Sequence, residues 1–457
     1  MPITTRLPKS APFVQRVTYP FIKNAFYFFF GFLPYGPIRR EGVPDLSGPI
    51  LISGSHSNFL CDPVINGFET EAPPRFLGKH TLFRFPIKWI VAFCGTIPVY
   101  RPQDADESVV EGGRSSQNRS SFKAAIQALQ DGWPVCIYPE GGSYISPGLN
   151  LPLKPGVAKL ALAAEEANGF CLGLRIIPVG LEYGSRPKVG SGLVVRYGEP
   201  INVAKYEAQY EENYGRAVKQ LMDDLTEKMK SAFPHFESNE ELLLAKRLVA
   251  MGVSSTRMNV SRIFQGYRIK HPELLHDLKK RLRDFEEASK ELGIPLAAWG
   301  YRMRVLEKSL LERVFSIVVL LLGLPLFLWD LVNNTFSEYI IRSVMGFSAS
   351  DETEMMTIRF VASFVVLPTV YFGQFWVLDR FFAPWLPGTV TFSCAYLAYF
   401  SLSVGVWILM PRWRRRFKTW MAQLFFVGKN KHLIEELRRV QNQLSVWIGE
   451  EGGPSRI

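Results

Sequence analysis

The sequence is poor in cysteine and has no paired cysteine motif. Cys61, Cys94, Cys136, Cys171 and Cys394 are odd in number, far apart, and form no CxxC pair. That argues against a disulfide framework or a cysteine-built zinc site, and a reducing compartment is expected for the soluble part. The first twenty residues, MPITTRLPKSAPFVQRVTYP, lack an apolar core ending in a small-residue cleavage site, so secretion is not expected. No basic-aromatic nucleic-acid module is recognisable, nor any internal repeat or long low-complexity linker. No residues have metal-ligand spacing, and neither a metal nor an organic cofactor is expected.

What is present points to lipid and to anions. The 457 residues are enough for two or three domains, and 47% of them are hydrophobic, an ordinary share. The aromatic share is 13%, with 34 phenylalanines, and the formal net charge is +11. A basic chain suits an anionic partner such as a membrane surface, a phosphorylated substrate or coenzyme A. Scattered surface lysine and arginine give the same total, but many basic residues here flank apolar segments.

Along the chain, residues 1–44 hold an aromatic run, Ala25 to Leu33, too short to span a bilayer. It reads as an interfacial or re-entrant element, or as a core helix of the adjoining α/β domain. Residues 45–205 alternate short apolar stretches (Ile50–Ser53, Trp133–Tyr138, Arg175–Gly180, Leu193–Tyr197) with helical patterns at Ser121–Gln130 and Val157–Ala167. This predicts an α/β domain, a mainly parallel or mixed sheet with flanking helices. Residues 206–312 read as an amphipathic helical region. Residues 313–411 contain three apolar segments, Val314–Trp329, Phe360–Leu378 and Thr389–Met410. The last two are long enough for transmembrane helices; the first is marginal. Residues 412–457 form a basic tail with an amphipathic helix. Basic residues lie before the first segment (Arg302, Arg304, Lys308, Arg313) and after the third (Arg412, Arg414, Arg415, Arg416, Lys418). With both flanks on the cytoplasmic side, two spans plus one non-crossing segment are expected.

Chemistry concentrates in short stretches of the α/β domain. His56 follows the expected strand Ile50–Ser53, at a strand end where α/β sites form. Asp62 followed by Pro63 reads as a helix N-cap, a carboxylate placed to orient His56 as a base. The same pattern also fits a surface histidine and an ordinary capping aspartate. Gly95–Arg101 reads as a strand ending in a cation suited to phosphate, or in a solvated arginine. Val135–Ser143 runs from a strand into a turn in which Glu140 lies beside His56 if the strands are neighbours. Gly141 and Gly142 there let backbone amides approach an anion or a developing oxyanion; a plain turn fits as well. Lys154 precedes a helix start, an arrangement suited to an anion.

His56…Asp62, GTIPVYR ending at Arg101, YPEGGS at Tyr138–Ser143, LKPG at Leu153–Gly156 and IIPVG at Ile176–Gly180 occur in that order. Over residues 45–205 this resembles the glycerolipid acyltransferase family, which includes glycerol-3-phosphate, dihydroxyacetone-phosphate and lysophosphatidic acid acyltransferases. Five residues separate His56 from Asp62, where the family commonly has four, and Ser143 stands where many members carry arginine. The five-residue spacing is similar to the fungal-type glycerol-3-phosphate/dihydroxyacetone-phosphate branch. The resemblance implies His56 as the base and Asp62 as its partner. It further implies Arg101, Glu140, Gly141, Gly142 and Ser143 on the acceptor phosphate, with Lys79 or Lys154 supplying charge that Ser143 lacks.

The expected reaction moves an acyl chain from acyl-CoA or acyl carrier protein to glycerol 3-phosphate or dihydroxyacetone phosphate. A lysophospholipid acceptor and a non-catalytic lipid-binding scaffold are the alternatives. No acyl-enzyme is required; Cys61 beside Asp62 could suggest one, but a buried structural cysteine is the expectation. The protein is expected in a lipid bilayer with its catalytic domain cytoplasmic, at the endoplasmic reticulum if eukaryotic or the inner membrane if bacterial.

Overall fold

The computed structural model describes residues 3–83, 91, 95–100, 111–184, 191–250, 254, 256–270, 272–291, 310–349, 351–382, 394–407, 410, 413 and 439. The chain divides into two compact units: residues 1–233 with 350–357, and residues 234–349 with 358–457.

The first unit is built on eight strands among the described residues. They are β1 (Ile38–Glu41), β2 (Ile50–Gly54), β3 (Arg75–Lys79), β4 (Ile97–Val99), β5 (Val135–Ile137), β6 (Arg175–Tyr183), β7 (Leu193–Tyr197) and β8 (Ile201–Asn202). The order is β1-β7-β6-β2-β5-β3-β4, with β8 paired to β6. β2 runs parallel to both β5 and β6, while β6 is antiparallel to β7 and β8. The sheet is therefore mixed, as the alternation of apolar stretches and helical patterns predicts. β2 is buried along its whole length, which is why ILISG reads as a continuous apolar run rather than an alternating one.

Helices Gly156–Glu166 and Tyr214–Ala232 bury their apolar stripes against one side of the sheet. Val157, Leu160 and Ala161 of the first meet Leu221, Leu225 and Met229 of the second around Leu51, Val135 and Ile176. Each fully buried aliphatic side chain contributes about 1.5–3 kcal/mol. This unit extends on both sides of the 45–205 region picked out by sequence. The N-terminal helix Phe13–Phe26 is tied in by Lys23, whose Nζ donates to the carbonyls of Ile3 and Thr70 at 2.7 and 2.6 Å. Burial pushes that ammonium down to about 8.

In the second unit, helices Asn239–Ala250, Arg257–Lys270 and Pro272–Glu291 are amphipathic, with Leu248, Phe264, Leu278, Leu282 and Phe285 buried. Among the described residues, two helical stretches are long and apolar enough to cross a membrane, Ile317–Ser348 and Thr353–Phe381. The first outruns the marginal Val314–Trp329 segment by a wide margin. Asp330, Asn333, Asn334 and Glu338 interrupt its hydropathy, yet these groups are paired inside the helices. Asn334 Nδ2 donates to Asp330 Oδ1 at 2.7 Å, Tyr371 donates to Asn334 Oδ1 at 2.7 Å, and Arg359 meets Glu338 at 2.7 Å. Of Thr389–Met410, the described apolar helix is Cys394–Trp407, shorter than a span.

Candidate active site

Because β2 and β5 are parallel neighbours, with Ser53 opposite Ile137, their carboxyl ends deliver two loops to one place. His56 comes from the first loop and Tyr138–Ser143 from the second. The His56 Nδ1 lies 3.0 Å from Asp62 Oδ2. The same oxygen accepts the backbone amides of Ser57 and Asn58, each at 2.7 Å, and Oδ1 accepts the hydroxyl of Tyr183 at 2.5 Å. Asp62 is wholly buried, while the His56 side chain keeps 16% of its surface. A carboxylate held by two amides and a hydroxyl acts as an acceptor, so the proton between it and the imidazole belongs on Nδ1. Nε2 then presents its lone pair.

Asp62 reaches this position differently from the N-cap expected of it. The helix begins at Cys61, so Asp62 and Pro63 are its second and third residues. The carbonyl of Asn58 accepts the amides of Cys61 and Asp62, opening the first turn earlier than the Asp-Pro pair suggests. Pro63 still falls where a helix needs no N–H. Phe59, with φ of +33°, turns the loop back, and the five-residue spacing leaves the imidazole and carboxylate in contact.

The second loop supports the first. The Tyr138 ring stacks on His56, with centroids 4.3 Å apart and planes at 22°. Gly54 makes this possible, because a Cβ there would sit 2.7 Å from the Tyr138 ring and 3.0 Å from the Asn66 amide that donates to the Tyr138 hydroxyl. Glu140 is buried, and its two oxygens accept the amides of His56 at 2.7 Å and Asn150 at 2.9 Å. Desolvation pushes this carboxyl up to about 7, against the pull of those two amides. Glu140 therefore engages the loop backbones rather than facing outward as a substrate ligand. Ser143 likewise accepts the Phe59 amide on Oγ at 3.0 Å, pinning the loop at its positive-φ residue. The Gly141 amide donates to the Tyr138 carbonyl, so it stabilises the turn. Gly141 has φ of +78°, and a Cβ there would fall 2.5 Å from Cε of Lys154; the lysine stem lies along the turn with its residue exposed.

Lys79 ends β3 in register with Val99, one strand beyond β5. Arg101 lies outside the described residues. Cys61 is buried 3.8 Å from the Thr357 hydroxyl, and burial pushes its thiol up to about 12, a structural cysteine and not a nucleophile. Two contacts of the His56–Asp62 pair are not legible in the sequence, although Tyr138 opens the YPEGGS motif. Tyr183 is 121 residues from Asp62, and Tyr138 reads as the end of a buried strand.

Residues 38–182 match the Acyltransferase family. The chain is 30% identical over 218 residues to glycerol-3-phosphate O-acyltransferase 2 of Saccharomyces cerevisiae, covering 45% of this chain and 28% of that protein. It is 30% identical over 174 residues to glycerol-3-phosphate O-acyltransferase 1 of the same yeast, covering 35% of this chain and 23% of that one. The chain thus spans less than a third of the length of these relatives. Among solved structures it is similar to the 1-acyl-sn-glycerophosphate acyltransferase PlsC of Thermotoga maritima. There the identity is 16% and the TM-score 0.30, over 46% of this chain and 83% of that one.

Proposed function

We propose, from the premise that residues 38–182 are a domain of the Acyltransferase family, that the protein acylates the hydroxyl of glycerol 3-phosphate or dihydroxyacetone phosphate. Acyl-CoA, or acyl carrier protein, is the donor. The observation that carries this reading is the contact of His56 Nδ1 with Asp62 Oδ2 at 3.0 Å, beside a solvent-reachable imidazole. Two relatives bearing the glycerol-3-phosphate O-acyltransferase name support the acceptor class.

In this mechanism His56 Nε2 takes the proton of the acceptor hydroxyl as its oxygen attacks the thioester carbonyl. Asp62 stabilises the imidazolium that forms. The tetrahedral intermediate collapses, the C–S bond breaks, and the proton passes from His56 to the departing thiolate. A base so oriented contributes about 10²–10⁴-fold. Amides of Gly142 and Ser143 serve the developing oxyanion, and Lys154, Lys79 and Arg101 serve the acceptor phosphate. The helices Ile317–Ser348 and Thr353–Phe381 hold the protein in a bilayer, with the basic flanks and the catalytic unit on the cytoplasmic side.

The test is acyl transfer by purified membranes with labelled oleoyl-CoA and a panel of glycerol 3-phosphate, dihydroxyacetone phosphate and lysophosphatidic acid. Labelled product from one of the first two supports the proposal. Product from lysophosphatidic acid alone reassigns the acceptor, and none from any overturns it.

A further inference from the structure

We propose that Tyr183 is a positioning residue for the His56–Asp62 pair, acting entirely through the Asp62 carboxylate. This role rests on the reading of His56 as the base.

The two oxygens of Asp62 are treated unequally. Oδ2 is met by His56 Nδ1 and by the amides of Ser57 and Asn58. Oδ1 is met by the Tyr183 hydroxyl, at 2.5 Å. Rotation of the carboxylate about its own bond would exchange the two oxygens and move the imidazole's partner. The Tyr183 hydroxyl fixes that rotation from the side opposite His56. Tyr183 is itself 4% exposed, so it has no route to a substrate, and its ring is packed at 5.0 Å from the Tyr35 ring.

The strand pairing explains how a residue so distant in sequence arrives there. β2 ends at Gly54, opposite Val179 of β6, and β6 continues to Tyr183. That overhang runs along the loop carrying His56. The Ser55 amide donates to the Val179 carbonyl at 2.8 Å, and the Leu181 amide donates to Ser55 Oγ at 2.9 Å. The loop is thus laced to the extension of β6 before its last residue reaches Asp62.

Tyr183→Phe removes the hydroxyl and keeps the ring. Hydrogen bonds to charged groups are worth about 10- to 100-fold, and kcat should fall by that factor with the acceptor KM unchanged within about twofold. A carboxylate relieved of one donor holds the imidazole proton more tightly, so the acid limb of the kcat/KM profile should move to higher pH. In an Asp62→Asn background, where no carboxylate remains to orient, the same change should cost less than about twofold. An equal loss in both backgrounds with an unmoved acid limb assigns Tyr183 to packing alone and overturns the inference, as does an unchanged kcat. His56→Ala, assayed in parallel, separates this from the underlying reading. Transfer surviving that change defeats the base assignment itself, whereas its loss beside a normal Tyr183→Phe enzyme defeats only the role of Tyr183.

Discussion

At the scale of single residues, the site is a problem of holding one buried charge. Asp62 is wholly enclosed and compensated by an imidazole, two amides and a phenol. Replacing it by asparagine removes the charge that steadies the imidazolium in the proposed mechanism and confronts both amides with a poorer acceptor. Asp62→Asn should lower kcat/KM by about 10²–10⁴-fold; a loss under tenfold would show that the carboxylate does not orient the base. Glu140 poses the opposite problem, a carboxyl that burial raises from the usual 4.5 to about 7. The folded state then binds its proton more tightly than the unfolded chain does. Its stabilising contribution is complete below about 4.5 and is lost as pH rises through 7. Glu140→Gln has no such titration, so the wild-type protein should lose thermal stability relative to this variant between pH 5 and 8. Parallel thermal-inactivation curves across that range would refute the assignment.

At the scale of elements, two neighbouring parallel strands and an overhanging third place everything. The sequence shows β2 and β7 almost to the residue, because a buried strand is a short apolar run closed by turn residues. Its ordered motifs also reveal the family that residues 38–182 match. The pairing of His56 with Asp62 is legible because only one short loop separates His56 from the first turn of the helix that carries Asp62. What crosses between elements is not. Tyr183 reaches Asp62 only through the β2–β6 register, and Ser143 reads as a missing cation when its hydroxyl in fact holds the amide of Phe59. Gly54 is a similar case, since its lack of a side chain matters only once Tyr138 is stacked on His56. Gly54→Ala puts a carbon 2.7 Å from that ring. Overpacking of this kind costs about 1–3 kcal/mol, and kcat should fall at least about fivefold while membrane association persists. Wild-type turnover would show that the stacking does not matter.

At the scale of the whole molecule, the chain forms two compact units, and the first includes residues 350–357. Thr353 and Met356 are buried there, and the Thr357 hydroxyl lies 3.8 Å from Cys61 Sγ. A chain ending before residue 350 should therefore expose Cys61. Alkylation mapped by mass spectrometry is expected to modify Cys61 in that truncated protein and to spare it in the full chain; equal labelling would contradict the packing. The same scale explains why the first membrane segment reads short in sequence. Hydropathy sees Asp330, Asn333, Asn334 and Glu338 as interruptions, whereas the helices pair them with Tyr371, Tyr399 and Arg359. Buried polar groups at membrane depth are tolerated when they are partnered within the protein.

The proposed mechanism turns on His56 Nε2 as the base that activates the acceptor hydroxyl. The most direct measurement is a single-turnover transfer assay on membranes bearing wild-type protein or His56→Ala at equal abundance, with labelled oleoyl-CoA and glycerol 3-phosphate. Loss of at least about a hundredfold, with both proteins retained in the membrane fraction, is the result predicted. Transfer by His56→Ala at the wild-type rate would contradict it.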